Sequence, residues 1–143
     1  MRLLFDVQGL QSQSRQRGIG RYIRCFLQAL IERACSHEII LLLNANFSED
    51  VESTIDELAN LLPGTQCLVF HVPEPTADYD SSNQLRNEVA ELLREAFIAE
   101  IRPDLMHVFS LFEGYGDAVV TSIGQLPSQF PVTATFYDLI PLL

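Results

Sequence analysis

The 143-residue chain contains no lysine, so all nine of its Lys/Arg positions are arginine, set against 19 aspartates and glutamates for a formal charge of −10. That balance excludes general nucleic-acid binding, which needs a basic face to neutralise phosphates. Long apolar runs are missing as well: no stretch nears the roughly twenty residues that cross a bilayer. The N-terminal Leu3-Leu4-Phe5 is broken at once by Asp6 and does not read as a signal peptide. Cysteines are few and odd in number; Cys25, Cys35 and Cys67 lack metal-ligand spacing and read as reduced, mostly packing thiols of a cytoplasmic protein. A Walker loop is excluded because no Gly-Lys-Ser/Thr occurs, and Gly18-Ile19-Gly20 lacks the third glycine of a dinucleotide fingerprint. His37, His71 and His107 are too far apart to suggest a metal site.

What is there is a folded chain of one domain's length, 48% apolar, enough for a single core. Strands are predicted over Arg2–Val7, Glu38–Leu43, Gln66–Val72, Leu105–Phe109 and Pro131–Phe136. Between them, Ile19, Tyr22, Ile23, Phe26, Leu27, Leu30 and Ile31 follow the i, i+3, i+4, i+7 spacing of an amphipathic helix. A second helix is expected after an N-cap at Ser48, with Glu49, Asp50 and Glu52 in its first turn and Pro63-Gly64 at its end. A third comes after Asp80-Ser81-Ser82, with Leu85, Val89, Leu92, Leu93, Ala96, Phe97 and Ile101 on one side, and a short fourth is expected around Asp117–Leu126. Alternating strands and helices predict an α/β, Rossmann-like, doubly wound parallel sheet of about five strands with helices on both faces. Ligands of such sheets bind outside the C-terminal strand ends, near the point where strand order reverses.

Positive charge gathers in one of those loops. Ser14–Arg24 holds four arginines and two glycines where the first strand hands over to the first helix. One reading has Arg15, Arg17 and Arg21 as bidentate phosphate contacts, with Gly18 and Gly20 baring N–H groups at the positive end of the helix dipole. The other has a solvated charge cluster whose glycines serve tight packing; pattern alone weighs the two evenly. His107, inside the fourth strand, reads more readily as a hydrogen-bonded core residue than as a catalyst. Glu113 lies in the loop S-L-F-E-G-Y-G, with Phe112 and Tyr115 beside it. Its plain reading is an exposed loop acid, while the aromatics could stack on a sugar ring or pin the loop to the core. Tyr137-Asp138 comes after the fifth strand, where a carboxylate binds hydroxyls, acts as a base, or caps the next element. The closing apolar run Leu139-Ile140-Pro141-Leu142-Leu143 makes the chain read as the front half of something larger.

These residues together resemble the N-terminal domain of a family-4 glycosyltransferase of the GT-B fold, on the bacterial mannosyltransferase-like branch of O-antigen and polysaccharide assembly. The segments that carry the resemblance are D-V-Q-G-L (Asp6–Leu10), R-G-I-G-R-Y (Arg17–Tyr22), R-P-D-L-M-H-V (Arg102–Val108), S-L-F-E-G (Ser110–Gly114) and Y-D-L-I-P-L (Tyr137–Leu142), in the family's order. The resemblance implies that residues 1–143 form the acceptor-side domain and that a C-terminal domain, absent from this chain, grips the nucleotide-sugar across a cleft. It implies that Arg15, Arg17, Gly18, Gly20 and Arg21 face phosphate of the donor or of a lipid-linked acceptor. It assigns acceptor binding to Glu113, Phe112, Tyr115 and His107, and catalytic positions to Tyr137 and Asp138. Many relatives carry histidine where Tyr137 stands, so a histidine role is not carried over. Sugar transfer would proceed with retention of configuration, with no bound metal and no cofactor, the nucleotide-sugar being a co-substrate. The partners implied are that donor, a saccharide or lipid-linked acceptor and the chain's own C-terminal domain, without nucleic acid. Location would be cytoplasmic, with peripheral membrane contact in the full-length protein, and this chain alone would not turn over. The rival expectation is a free-standing flavodoxin-like binding or regulatory module.

Overall fold

The structure is a computed structural model and describes residues 1–33, 36–47 and 51–137. Its strands are β1 (Arg2–Asp6), β2 (Glu38–Asn44), β3 (Gln66–Phe70), β4 (Leu105–Val108) and β5 (Val132–Ala134); its helices are α1 (Gly18–Ile31), α2 (Val51–Leu61) and α3 (Gln84–Ile101). All strand pairs are parallel, in the order β3-β2-β1-β4-β5, with Leu3 to Asp6 of β1 facing Leu105 to Val108 of β4.

Alternation along the strands divides the core. Leu3 and Phe5, with Leu41 and Leu43, pack against Ile23 and Leu27 of α1 and Leu58 of α2. Leu4, Ile40, Leu42, Met106 and Val108 pack against Ile98 of α3 on the other face. The helices change faces because the chain changes direction. It steps outward from β1 to β3, then returns to the far side of β1, and right-handed crossovers then demand opposite faces for the two legs. β2, buried from Ile39 to Asn44, is apolar almost throughout because both its faces are covered. The doubly wound α/β sheet is therefore present, with its strand order reversing between β1 and β4.

Three expectations about the elements change. The buried line of α3 is Ala90, Arg94 and Ile98, with Phe97 and Ile101 partly covered, whereas Leu85, Val89, Leu92 and Leu93 face solvent. No helix forms around 117–126. There the backbone N–H groups are taken by side chains instead of by carbonyls four residues back: Val119 by Asp117, Val120 by Gln8, and Gln125 and Leu126 by Glu95. Cys25 is exposed, not packed, while burial holds the Cys67 thiol above its ordinary value. The Ser48 cap with Glu49 and Asp50, Cys35, and Asp138 to Leu143 lie outside the described residues. Asp80 does act as a cap, accepting from Ser82 N at 2.9 Å, but on a single 3-10 turn that leads into α3. No described helix is long and apolar enough to cross a membrane.

Candidate functional site

The reversal between β1 and β4 parts the two loops that leave their C-terminal ends. The loop after β1 makes two short 3-10 turns, Gln8–Leu10 and Gln13–Gln16, before α1 begins. Ser12 caps the second turn by accepting from Ser14 N at 3.1 Å. Both serine hydroxyls then donate across the crevice to Glu113, Ser12 at 3.2 Å and Ser14 at 3.0 Å, and Ser110 adds a longer bond of 3.4 Å. Glu113 is therefore a fixed, half-buried acceptor that ties the two loops, and not a free loop acid.

The four arginines of the loop divide into two pairs. Arg15 Nη2 meets Glu57 Oε2 of α2 at 3.1 Å, and Arg24 Nε meets Glu57 Oε1 at 2.6 Å. Arg24 also donates to the Arg15 carbonyl at 2.8 Å. Arg15 thus clamps loop to helix and is not turned outward. Arg17 and Arg21 are exposed, one turn apart, and have no side-chain partner among the described residues. They flank a helix start whose first turn holds no acidic side chain and no side-chain cap, an electrostatically positive end left open. Gly18 is exposed there, whereas Gly20 is buried: a Cβ on it would stand 2.2 Å from the Arg15 carbonyl oxygen. Gly20 serves the loop's seat on α1.

The Glu57 clamp carries a pH signature. The Arg24 hydrogen bond, opposed by burial and helped by the charges of Arg24 and Arg15, holds Glu57 below its ordinary 4.5. A lowered folded-state value means stability that is present above 4.5 and lost as pH falls through the folded value. Glu57→Gln is expected to flatten the fall in urea stability as pH drops below 4.5. An acid limb unchanged from the parent would show that the pair adds nothing.

Aromatic rings crowd the β4 and β5 side of the same edge. Tyr22 and Tyr137 meet edge to face at 5.5 Å, and Phe112 meets Phe136 at 5.4 Å. Burial, with Tyr22 and Glu113 nearby, pushes the Tyr137 phenol far above its ordinary 10. It therefore stays protonated at neutral pH and can donate a hydrogen bond but cannot serve as a base. His107 is a hydrogen-bonded, half-buried strand residue. Its ring stacks on Phe26 at 5.7 Å, and its nitrogens meet Thr133 Oγ1 at 2.8 Å and Thr135 Oγ1 at 3.0 Å. Since the Thr133 hydroxyl donates to the Met106 carbonyl, it accepts from His107 Nδ1–H, and Nε2 is left to accept from Thr135. Burial lowers the His107 value, which keeps the ring neutral.

Beneath the edge lies a buried polar network that sequence patterns did not reveal. Arg94 of α3 pairs with Asp6 at the end of β1 and donates to the Ser122 carbonyl at 3.1 Å. Gln8 bonds Asp6, Val120 and Asn44, and Asn44 reaches the Ala118 carbonyl at 2.8 Å. The signal was present as polar residues at two apolar strand ends, Asp6 and Asn44, and an arginine in the middle of a helix.

Compared with known proteins, the chain is 35% identical over 144 residues to a serotype-specific mannosyltransferase WbdA of Escherichia coli, covering 100% of this chain and 17% of that protein. Two further E. coli proteins of that description are 33% and 32% identical over 117 residues each, covering 81% of this chain and 14% of theirs. The chain is therefore related in sequence to glycosyltransferases, and spans 17% or less of the relatives it matches. No family model matches, and no solved structure matches.

Proposed function

We propose that this chain is the acceptor-side domain of a retaining glycosyltransferase, of the GT-B arrangement, that transfers mannose from a nucleotide-sugar to a polysaccharide or lipid-linked acceptor. The observation that carries the reading is its similarity, over its whole length, to one mannosyltransferase and, over 81% of it, to two more. The β1–β4 edge supports it with a separation of charge suited to that reaction. Arg17 and Arg21, with the open start of α1, meet a diphosphate through charge-assisted hydrogen bonds. Glu113, held by its serines, and the protonated Tyr137 meet hydroxyl groups on the other side of the crevice. In the transfer the bond from the anomeric carbon to diphosphate oxygen breaks and an acceptor hydroxyl oxygen bonds to that carbon. The hydroxyl proton passes to the departing phosphate. A nucleotide-sugar-binding domain beyond this chain completes the cleft, since transfer needs both substrates held in register. Asp138, next in sequence to Tyr137, keeps its proposed catalytic role.

The test is kinetic. One charge-assisted contact contributes about 1.5–3 kcal/mol, so Arg17→Ala and Arg21→Ala in the full-length protein should each lower kcat/KM for nucleotide-mannose or a phosphorylated acceptor roughly tenfold or more. Arg33→Ala, at the far end of α1, should leave it unchanged. Parental kinetics in both N-terminal variants would remove phosphate from this edge.

A further inference from the structure

We infer that the groove between the first half of α3 and the segment Thr76–Asp80 is a second saccharide subsite, one that holds ring hydroxyls of a glycan away from the phosphate edge. The inference rests on the sugar-transfer reading of the β1–β4 edge. Thr76, Asp78, Asn87, Glu91 and Glu113 line a small polar pocket, which continues through Asp78, Asn87 and Glu91 into an open groove along α3. Thr76 is only 3% exposed, and its hydroxyl has no partner. The Asn87 Oδ1 is likewise buried and unpartnered, while its amide nitrogen donates to Asp78. Two orphaned buried polar atoms in one pocket call for a ligand or water that satisfies them.

The chemistry of the lining selects the ligand. Three carboxylates and the Asn87 carbonyl offer acceptors, so the occupant must donate. Arg86 turns its Nη1 to the Pro75 carbonyl and Asn83, and Arg94, whose charge reaches Glu91, is held by Asp6 and the Ser122 carbonyl, so neither arginine is a pocket-lining group that could offset Asp78, Glu91 and Glu113 for a phosphate. Among the described residues no three acidic, histidine or cysteine side chains converge closely enough to share a metal ion. A neutral polyol fits both conditions. Beside the pocket, Tyr79 and Tyr115 stand 67% and 74% exposed, with ring centroids 6.5 Å apart at 62°. Their backbones are joined by Tyr79 N to the Tyr115 carbonyl at 2.9 Å and Asp78 N to the Gly114 carbonyl at 3.0 Å. Gly114, at φ +99°, lets this loop run against the segment at Val119, since a Cβ there would lie 2.5 Å from the Val119 carbonyl oxygen. Exposed rings next to acceptor-lined polar pockets suit a pyranose, whose C–H face packs on the aromatic while its hydroxyls turn to the carboxylates.

Calorimetry and amide NMR of the protein with α-linked mannotriose, and separately with inorganic phosphate and with magnesium, test the assignment. Mannotriose should shift the amides of Thr76–Asp80, Asn87 and Tyr115. Tyr115→Ala, which folds because the ring is mostly exposed, and Asn87→Ala should each weaken mannotriose roughly tenfold. Arg17→Ala with Arg21→Ala should leave that affinity unchanged. Mannotriose shifts confined to Arg17, Gly18 and Tyr137, groove shifts with phosphate or magnesium, or no groove shift at several millimolar sugar would each overturn the subsite and leave the groove to water. Loss of the transfer effect at Arg17 and Arg21 with mannotriose still in the groove would overturn the donor reading alone.

Discussion

Replacing Arg94 by methionine is expected to cost about 3–5 kcal/mol of folding stability, the range for breaking a buried ion pair from one side. The Arg94 side chain is 0% exposed and that of its partner Asp6 is 3% exposed, so the carboxylate left behind cannot recover water. Gln8 would still give Asp6 its backbone and side-chain N–H groups, but neutral donors do not replace a full opposite charge at this depth. The Ser122 carbonyl would lose its donor in the same change. Urea denaturation reads the loss directly, and for a domain of this size it amounts to a drop in Tm of roughly 10–20 °C. Adding Asp6→Asn should recover part of the loss by removing the stranded charge. A cost below about 1 kcal/mol would place the pair with surface salt bridges and contradict its burial between β1 and α3.

Gly18 and Gly20 stand two residues apart and should respond in opposite directions to a single methyl group. At Gly20 the new Cβ meets backbone, 2.2 Å from the Arg15 oxygen and 2.6 Å from its carbonyl carbon, and backbone cannot rotate away. Gly20→Ala is expected to lose about 1–3 kcal/mol, as forced overpacking does, and Gly20→Val more. Lifting Arg15 also pulls at the Glu57 clamp, so its acid limb should flatten in the same variant. At Gly18 no atom lies within 4 Å of the added carbon, and the residue is the first of α1. Gly18→Ala should therefore gain about 0.4–1 kcal/mol by narrowing the unfolded ensemble. Equal melting temperatures for the two alanine variants would mean that the loop does not sit on α1 at this distance.

Strands were legible in the sequence because each is a short apolar run closed by polar or turn residues, and Glu38–Leu43 differs from β2 by one residue. The buried face of α3 was not. The helix carries two apolar lines, and periodicity finds a line without saying which one meets the sheet. That choice is made by Arg94, which must reach Asp6, and by small Ala90, which lets the helix come close. The segment 117–126 misled for a related reason: its helical spacing is real, but Gln8 and Glu95, distant in sequence, capture its N–H groups. At the site, the choice of loop and residue types was legible, while the division of labour was not. Nothing local says that Arg15 and Arg24 find Glu57 while Arg17 and Arg21 find no side-chain partner among the described residues. Two of the serines that hold Glu113, Ser12 and Ser14, lie about a hundred positions before it, beyond the range of any spacing rule.

The position of β1 in the sheet also has a consequence for the chain as it leaves the ribosome. β1 is the first strand made and the middle strand of the finished sheet, flanked by β2 on one side and β4 on the other. Its first neighbour arrives with Glu38 to Leu42, but the second waits for Leu105 to Val108. At synthesis rates of about 5–20 residues per second, that leaves one edge of Leu3-Leu4-Phe5 unpaired for roughly 5–20 s. Until β4 is made, the nascent β1–β2 unit thus carries an apolar, open strand edge, the kind of edge that templates pairing with another chain.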